Sequence, residues 1–181
     1  YSDYDLAIGL DATSAEGDAS IDATGNVTVA GNYAVGASAD SYYGDASVDV
    51  TGDVSVVAAG LATGLSASTY GLGAASVTVT GDLDVSSDRA AAGALVYSYD
   101  GLASATITGD VTVAATDYAT GVSATGESAA IDINGDISVT GGEGEATGVQ
   151  AYAQSSLASV IIVGDTVVNA AGDAIGVYGF S

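Results

Sequence analysis

The chain has 181 residues, of which 48% are hydrophobic, so it is long enough and apolar enough to bury the core of one ordinary domain. A single Lys or Arg stands against 23 acidic residues, and the net charge of -22 disfavours nucleic acid as a partner because phosphate binding needs cationic side chains. His and Cys are absent, so the chain lacks the imidazole and thiol groups that serve many enzymes as base or nucleophile.

The main feature along the chain is an internal repeat with two anchors. The first anchor is a Gly followed by Asp or Asn, and it recurs every 26–29 residues at Gly25, Gly52, Gly81, Gly109, Gly135 and Gly164. The second is Ala-x-Gly followed by a small or apolar residue, in seven copies from AIGL at 7–10 to AIGV at 174–177. Both anchors keep a period of about 28 residues, which indicates a repeated structural unit.

Each repeat alternates apolar and polar residues around the first anchor. In the second repeat, Val48 and Val50 precede Gly52, and Val54 and Val56 follow it, with Ser, Thr or Asp between them. A period of two is typical of a half-buried strand. The pattern therefore predicts two short strands joined by a Gly-Asp corner. A third short segment is expected at Ala-x-Gly, as a narrow corner with room for one methyl group and a Gly at the bend.

Strands this short cannot bury their apolar faces alone, so successive repeats must stack on one another. The predicted fold class is all-β: a right-handed parallel β-helix, or β-solenoid, of about six coils of 26–29 residues in a single domain over residues 1–181. Its coils would rise by about 4.8 Å, the spacing of paired strands. Hexapeptide β-helices and nonapeptide calcium rolls have shorter periods than this chain.

The residue after the corner Gly would form a column along the stack. Its members are Asn26, Asp53, Asp82, Asp110, Asp136 and Asp165. One interpretation is that each side chain accepts a hydrogen bond from a nearby backbone N–H and faces water. The other is cation binding, since Ca²⁺ prefers several oxygen ligands. In that case the ligands would be Asp53, Asp82, Asp110, Asp136 and Asp165, and Ca²⁺ would be the one cofactor.

Nothing in the chain interrupts the repeat in the way a catalytic site would. The carboxylates recur evenly, and Arg89, the one cation, stands beside Asp88 as a candidate ion pair. We therefore predict that the protein is not an enzyme. The eleven Tyr fall mainly in loops, where we expect them to cover apolar edges or to form contacts between molecules.

The repeated V-x-V-x-G-D-V-x-V and A-x-G-V-x-A patterns resemble the coils of secreted bacterial β-solenoids, namely autotransporter passengers and haemagglutinin-like adhesins. The resemblance extends over nearly the whole chain. It implies secretion, a right-handed coil and a role in adhesion or surface structure.

The two ends of the sequence carry the ordinary repeat, with DLAIGLDA near the start and DAIGVYGFS at the finish. Open strand ends pair with other chains unless they are capped. Since the chain contains no Met, we expect that an N-terminal segment is removed before the protein reaches the cell exterior.

The expected function is a subunit of an extracellular filament or surface layer, with itself as partner in head-to-tail stacking. Because 14 residues, half a coil, separate the last anchor of one chain from the first of the next, the joint should be offset. One alternative is an adhesin or autotransporter passenger fragment that binds host or glycan surfaces, and the chain could equally be an excerpt of a longer solenoid. Cations and glycans are the other candidate partners, and a polysaccharide-acting enzyme is the less favoured alternative.

Overall fold

A computed structural model of the chain describes residues 5–181, and these residues form nineteen β-strands and no helix. The chain passes through three faces in a fixed order, so that every third strand belongs to the same sheet. All pairings within the three sheets are parallel. The described residues are thus a β-solenoid of about six coils, as the repeat predicts.

Sheet A has the longest strands and the largest number of them. Its members are β1 (Leu6–Ser14), β4 (Tyr33–Ser41), β7 (Leu61–Thr69), β10 (Ala90–Ser98), β13 (Tyr118–Gly126), β16 (Ala146–Ala153) and β19 (Ala174–Phe180).

Sheets B and C have six strands each. Sheet B contains β2 (Ala19–Thr24), β5 (Ala46–Thr51), β8 (Ala75–Thr80), β11 (Leu102–Thr108), β14 (Ser128–Asn134) and β17 (Ala158–Val163). Sheet C contains β3 (Val27–Gly31), β6 (Val54–Ala58), β9 (Leu83–Ser87), β12 (Val111–Ala115), β15 (Ile137–Gly141) and β18 (Thr166–Ala170).

The core is a set of apolar columns that run along the stack. Val48 of β5 pairs with Val77 of β8, and Val54 of β6 pairs with Leu83 of β9, and all four side chains are buried. The alternation in the sequence therefore identifies the inward residues correctly. Even Thr166, which stands where the repeat has an apolar residue, keeps the register by pairing with Ile137.

The corner between sheets B and C is built on the first anchor. Its glycines have positive φ at five of the six positions, from 113° at Gly25 to 153° at Gly164. Residues with a Cβ rarely adopt this conformation, so the turn requires Gly. The right-handed coil stays a prediction, in line with the general rule that parallel crossovers in proteins are almost always right-handed.

The second anchor lies in a different place from the predicted one. Ala-x-Gly is not a corner: Ala34 and Gly36 lie within the nine-residue strand β4, and sheet A is the longest face instead of a short segment. At Gly36 the alternation changes phase, because Gly36 and Ala37 are both buried. A Cβ on Gly36 would clash with the carbonyl oxygen of Gly64 and lie 3.0 Å from Val56 Cγ2. The Gly is thus needed for close approach between coils.

Candidate functional site

The column of Asp side chains at the corner between sheets B and C is a continuous hydrogen-bonded ladder. The Oδ1 atom of Asp82 accepts a bond from the backbone N–H of Asp110, at 2.9 Å, and Asp110 accepts from Asp136 in the same way, at 2.8 Å. The first rung is Asn26, which accepts from the N–H of Asp53 at 3.0 Å. Each acceptor therefore belongs to one coil and each donor to the next. The predicted bond to backbone N–H is present, and it joins successive coils.

In each carboxylate of the column from Asp53 to Asp136, Oδ1 accepts the backbone bond and Oδ2 lies outside it. In residues 5–181, no three acidic side chains form a group that could hold a metal ion. Calcium binding by Asp53, Asp82, Asp110, Asp136 and Asp165 stays a prediction, and the hydrogen bonds give the column a structural role that needs no ion.

A second, shorter ladder lies at the corner between sheets A and B. Asp18 Oδ1 accepts from the N–H of Asp45 at 2.9 Å, and Asp45 Oδ1 accepts from the N–H of Ala74 at 2.8 Å. This ladder was not predicted from the sequence, although Gly17-Asp18 repeats as Gly44-Asp45 one coil later. The signal is weak because the third copy has Ala in place of Asp.

The same corner contains the buried polar side chains of the described core, Ser41, Thr69 and Ser98. The Ser98 hydroxyl donates to the carbonyl of Gly73 at 2.7 Å and accepts from the N–H of Gly101 at 2.9 Å. Each such hydroxyl therefore links its own turn to the preceding coil, and a buried hydroxyl with both bonds made costs little to bury.

Four of the described tyrosines lie in turns beside this corner, namely Tyr42, Tyr43, Tyr70 and Tyr99. The expectation that the tyrosines fall mainly in loops is wrong, because five others lie in strands of sheet A, namely Tyr33, Tyr97, Tyr118, Tyr152 and Tyr178. Tyr42 contacts Tyr43, with ring centroids 4.9 Å apart, and Tyr70, at 6.0 Å. Together with Glu16 and Asp40 they line an open groove of about 340 Å³. Its lining is mainly apolar and includes three tyrosines, and its charged groups are carboxylates, so it suits a ligand with an apolar face and hydroxyl or cationic groups.

Arg89 lies exposed at the corner between sheets C and A, as does Asp88. The backbone carbonyl of Arg89 accepts a hydrogen bond from the N–H of Asp117 at 2.8 Å. The backbone of Arg89 therefore links two coils, while an ion pair between its side chain and Asp88 stays a prediction.

The outermost described coils expose positions that the inner coils bury. Val149 of β16 is 0% exposed, whereas Val177, its partner in β19, is 50% exposed. At the other end, Leu10 of β1 is partly exposed, whereas Ala37, its partner in β4, is 0% exposed. Each end is therefore an apolar surface bordered by strand edges.

Within the residues that the structure describes, no helix has the length and apolar character needed to cross a membrane. Comparisons of the chain with protein-family models, with curated proteins and with solved structures gave no match.

Proposed function

We propose that this protein is an extracellular structural protein whose solenoid units stack head to tail into a filament or surface layer. The observation that carries the proposal is the exposure of Val177 where Val149 is buried, because the two residues occupy the same position of the repeat. A further coil with the same pattern would bury it. A second copy of this chain supplies such a coil, since β1 has the same Ala-Ile-Gly sequence as β19.

A substitution at Gly176 tests stacking directly. A Cβ on Gly148 would clash with the carbonyl oxygen of Gly176, whereas a Cβ on Gly176 meets nothing within 4 Å. In a stack, Gly176 would face Gly9 of the next copy with the same close approach. The variant Gly176→Ala should therefore fold normally and fail to stack.

The matched control is Gly179→Ala in the same strand. Gly179 pairs with Ala151, and inner coils carry Ala39, Ala67 and Ala124 in that column, so a methyl group fits the stack there. We expect electron microscopy to reveal fibres for the natural chain and for Gly179→Ala, and single short rods for Gly176→Ala. Single rods for all three proteins, or fibres for all three, would contradict the proposal.

If copies stack in this way, the number of strands in each sheet determines which strands can pair across the joint. Sheet A has seven strands and sheets B and C have six, so the described chain both begins and ends in sheet A. If β1 of one copy pairs with β19 of another, sheets B and C are left with a gap of one strand each, about 4.8 Å wide. Such a gap would correspond to the offset joint expected from the half-coil spacing.

A second candidate function is that of an adhesin, favoured by the groove that contains Tyr42 and Tyr70. Aromatic side chains beside carboxylates offer contacts to the apolar faces and hydroxyl groups of a glycan. Screening of the chain against a glycan array tests this function. Binding that Tyr70→Ala abolishes and Tyr118→Ala retains would support it, and the absence of any bound glycan would contradict it.

The proposal assigns no catalysis to the chain. A panel of polysaccharides incubated with the protein should stay uncleaved, and release of reducing ends above the level of a heat-denatured control would contradict this part of the proposal.

A further inference from the structure

Charge and aromatic side chains are distributed unequally among the three faces. The strands of sheets B and C contain no aromatic residue, whereas those of sheet A contain Tyr33, Tyr97, Tyr118, Tyr152, Tyr178 and Phe180. In the described chain, the acidic residues within sheet A strands are Asp11 and Asp40, both in the first two strands. From β7 to β19 the strands of sheet A carry no charged residue.

The outer face of these five strands is also partly apolar. Leu61 and Tyr118 are about half exposed, and together with Ala92 and Leu95 they line a shallow depression of about 260 Å³. Further along the face, the ring of Tyr152 stacks on that of Phe180, with centroids 5.1 Å apart. Enrichment in Tyr and Phe together with depletion of charge is the composition that distinguishes the core of protein interfaces from other surface.

The dimensions of the face match those of a stable interface. Strands of up to nine residues span about 30 Å, and five paired strands cover about 24 Å. The face therefore offers about 700 Å² per copy, close to the roughly 800 Å² per partner of standard interfaces. In a chain with a net charge of -22, such a face is where two copies can approach without bringing carboxylates into contact.

We propose that two copies of the chain associate laterally through the outer face of sheet A, from β7 to β19. The contact is isologous, with the same face on both copies. Carboxylates at the two flanking corners, such as Asp117 before β13 and Asp100 after β10, form an acidic rim, and the rims of the two copies repel each other. Lateral association therefore strengthens as salt screens the rim, and it is separate from the axial stacking proposed above.

The experiment is sedimentation velocity on the full chain carrying Gly176→Ala, which removes axial stacking from the measurement. We expect monomers at low salt and dimers at about 0.5 M NaCl, where screening is strong. Ser123→Asp places a charge at the centre of the face, between Leu95 and Gln150, and should return the protein to monomer.

The matched control is Ser104→Asp, a half-buried outward Ser on sheet B between Ser76 and Ala130. It adds the same charge and should leave the dimer intact. Monomers at every salt concentration would overturn the proposal, whatever else the face binds. Loss of the dimer in both Asp variants would also overturn it, as would persistence in both. Failure of axial stacking, by contrast, would appear only as an absence of fibres in the natural chain and would not alter these outcomes.

Discussion

The carboxylate of Asp110 accepts a hydrogen bond from the backbone N–H of Asp136, one coil further along, at 2.8 Å. The bond joins coils at the corner where sheet B passes into sheet C. Each carboxylate thus satisfies a backbone donor, although it also stands one strand spacing from the next negative charge. The native Asn26 makes the same bond without a charge.

Two substitutions of Asp110 distinguish the contribution of its hydrogen bond to stability from the contribution of its charge. Asp110→Ala removes the acceptor of the Asp136 N–H and should lower the free energy of unfolding by about 1 kcal/mol, the usual net value of one hydrogen bond. Asp110→Asn keeps an oxygen acceptor and removes a repulsive charge, so its stability should equal or exceed that of the natural protein. Urea denaturation measures both changes. Equal losses in the two variants would contradict a hydrogen-bonding role.

Calcium and acid should both promote association, because both reduce the repulsion among 23 acidic residues. Light scattering should rise on addition of about 5 mM Ca²⁺, a concentration at which weak extracellular calcium sites fill. It should also rise on acidification to about pH 4, where carboxylates take up protons.

Sodium chloride at the same ionic strength is the control for the calcium experiment. A smaller rise with NaCl than with Ca²⁺ would favour direct binding by the carboxylates, whereas equal rises would favour screening. Scattering that stays constant under both Ca²⁺ and acid would contradict the prediction.

The sequence predicts the inward face of the strands well, and the reason is the strictness of the period of two. Val48, Val50, Val54 and Val56 alternate around Gly52, and a shift by one residue would expose all four. The Gly-Asp corner is equally predictable from the sequence, since Gly52 has a positive φ that a residue with a Cβ rarely adopts. Both features depend on local chain geometry, which one repeat is enough to reveal.

The position of the Ala-x-Gly segment is harder to predict, because its Gly is required by a contact with the next coil and not by the local backbone conformation. Gly36 has no positive φ. A side chain is excluded there because a Cβ would clash with the carbonyl oxygen of Gly64, 28 residues away. Contacts of this kind leave no local pattern. The link through the hydroxyl of Ser98 was missed for the same reason, since its donor bond goes to Gly73 in another coil.

Adding a methyl group inside the glycine column of sheet A should be strongly destabilising. A Cβ on Gly93 would clash with the carbonyl oxygen of Gly121 and lie 3.1 Å from Val113 Cγ2. Overpacking of a tight core costs about 1–3 kcal/mol, and a clash with backbone belongs at the upper end. In dilute solutions of unstacked chains, Gly93→Ala should therefore lower the denaturation midpoint clearly, while Gly176→Ala, whose added Cβ meets nothing within 4 Å, should leave it unchanged. Similar midpoints for both variants would contradict the close-packed column.

Removal of terminal strands tests the geometry of the axial joint. Deletion of residues 1–14 removes β1, and the sheet A strand at that end becomes β4. In the proposed stack, β4 would then pair with β19, β2 with β17 and β3 with β18, so all three sheets would continue without a gap. This variant should form longer and straighter fibres than the full chain, as observed by electron microscopy.

Deletion of residues 174–181 removes β19 instead and gives the same result by strand counting, because β1 then pairs with β16. Deletion of both segments restores a mismatch, since sheet A then lacks one strand at every joint. The two single deletions should therefore stack better than the full chain, and the double deletion should stack less well than either of them. A double deletion that formed fibres as long as those of the single deletions would contradict pairing of the sheets across the joint. In that case, exposure of the apolar core alone would explain the association, without any matching of strands.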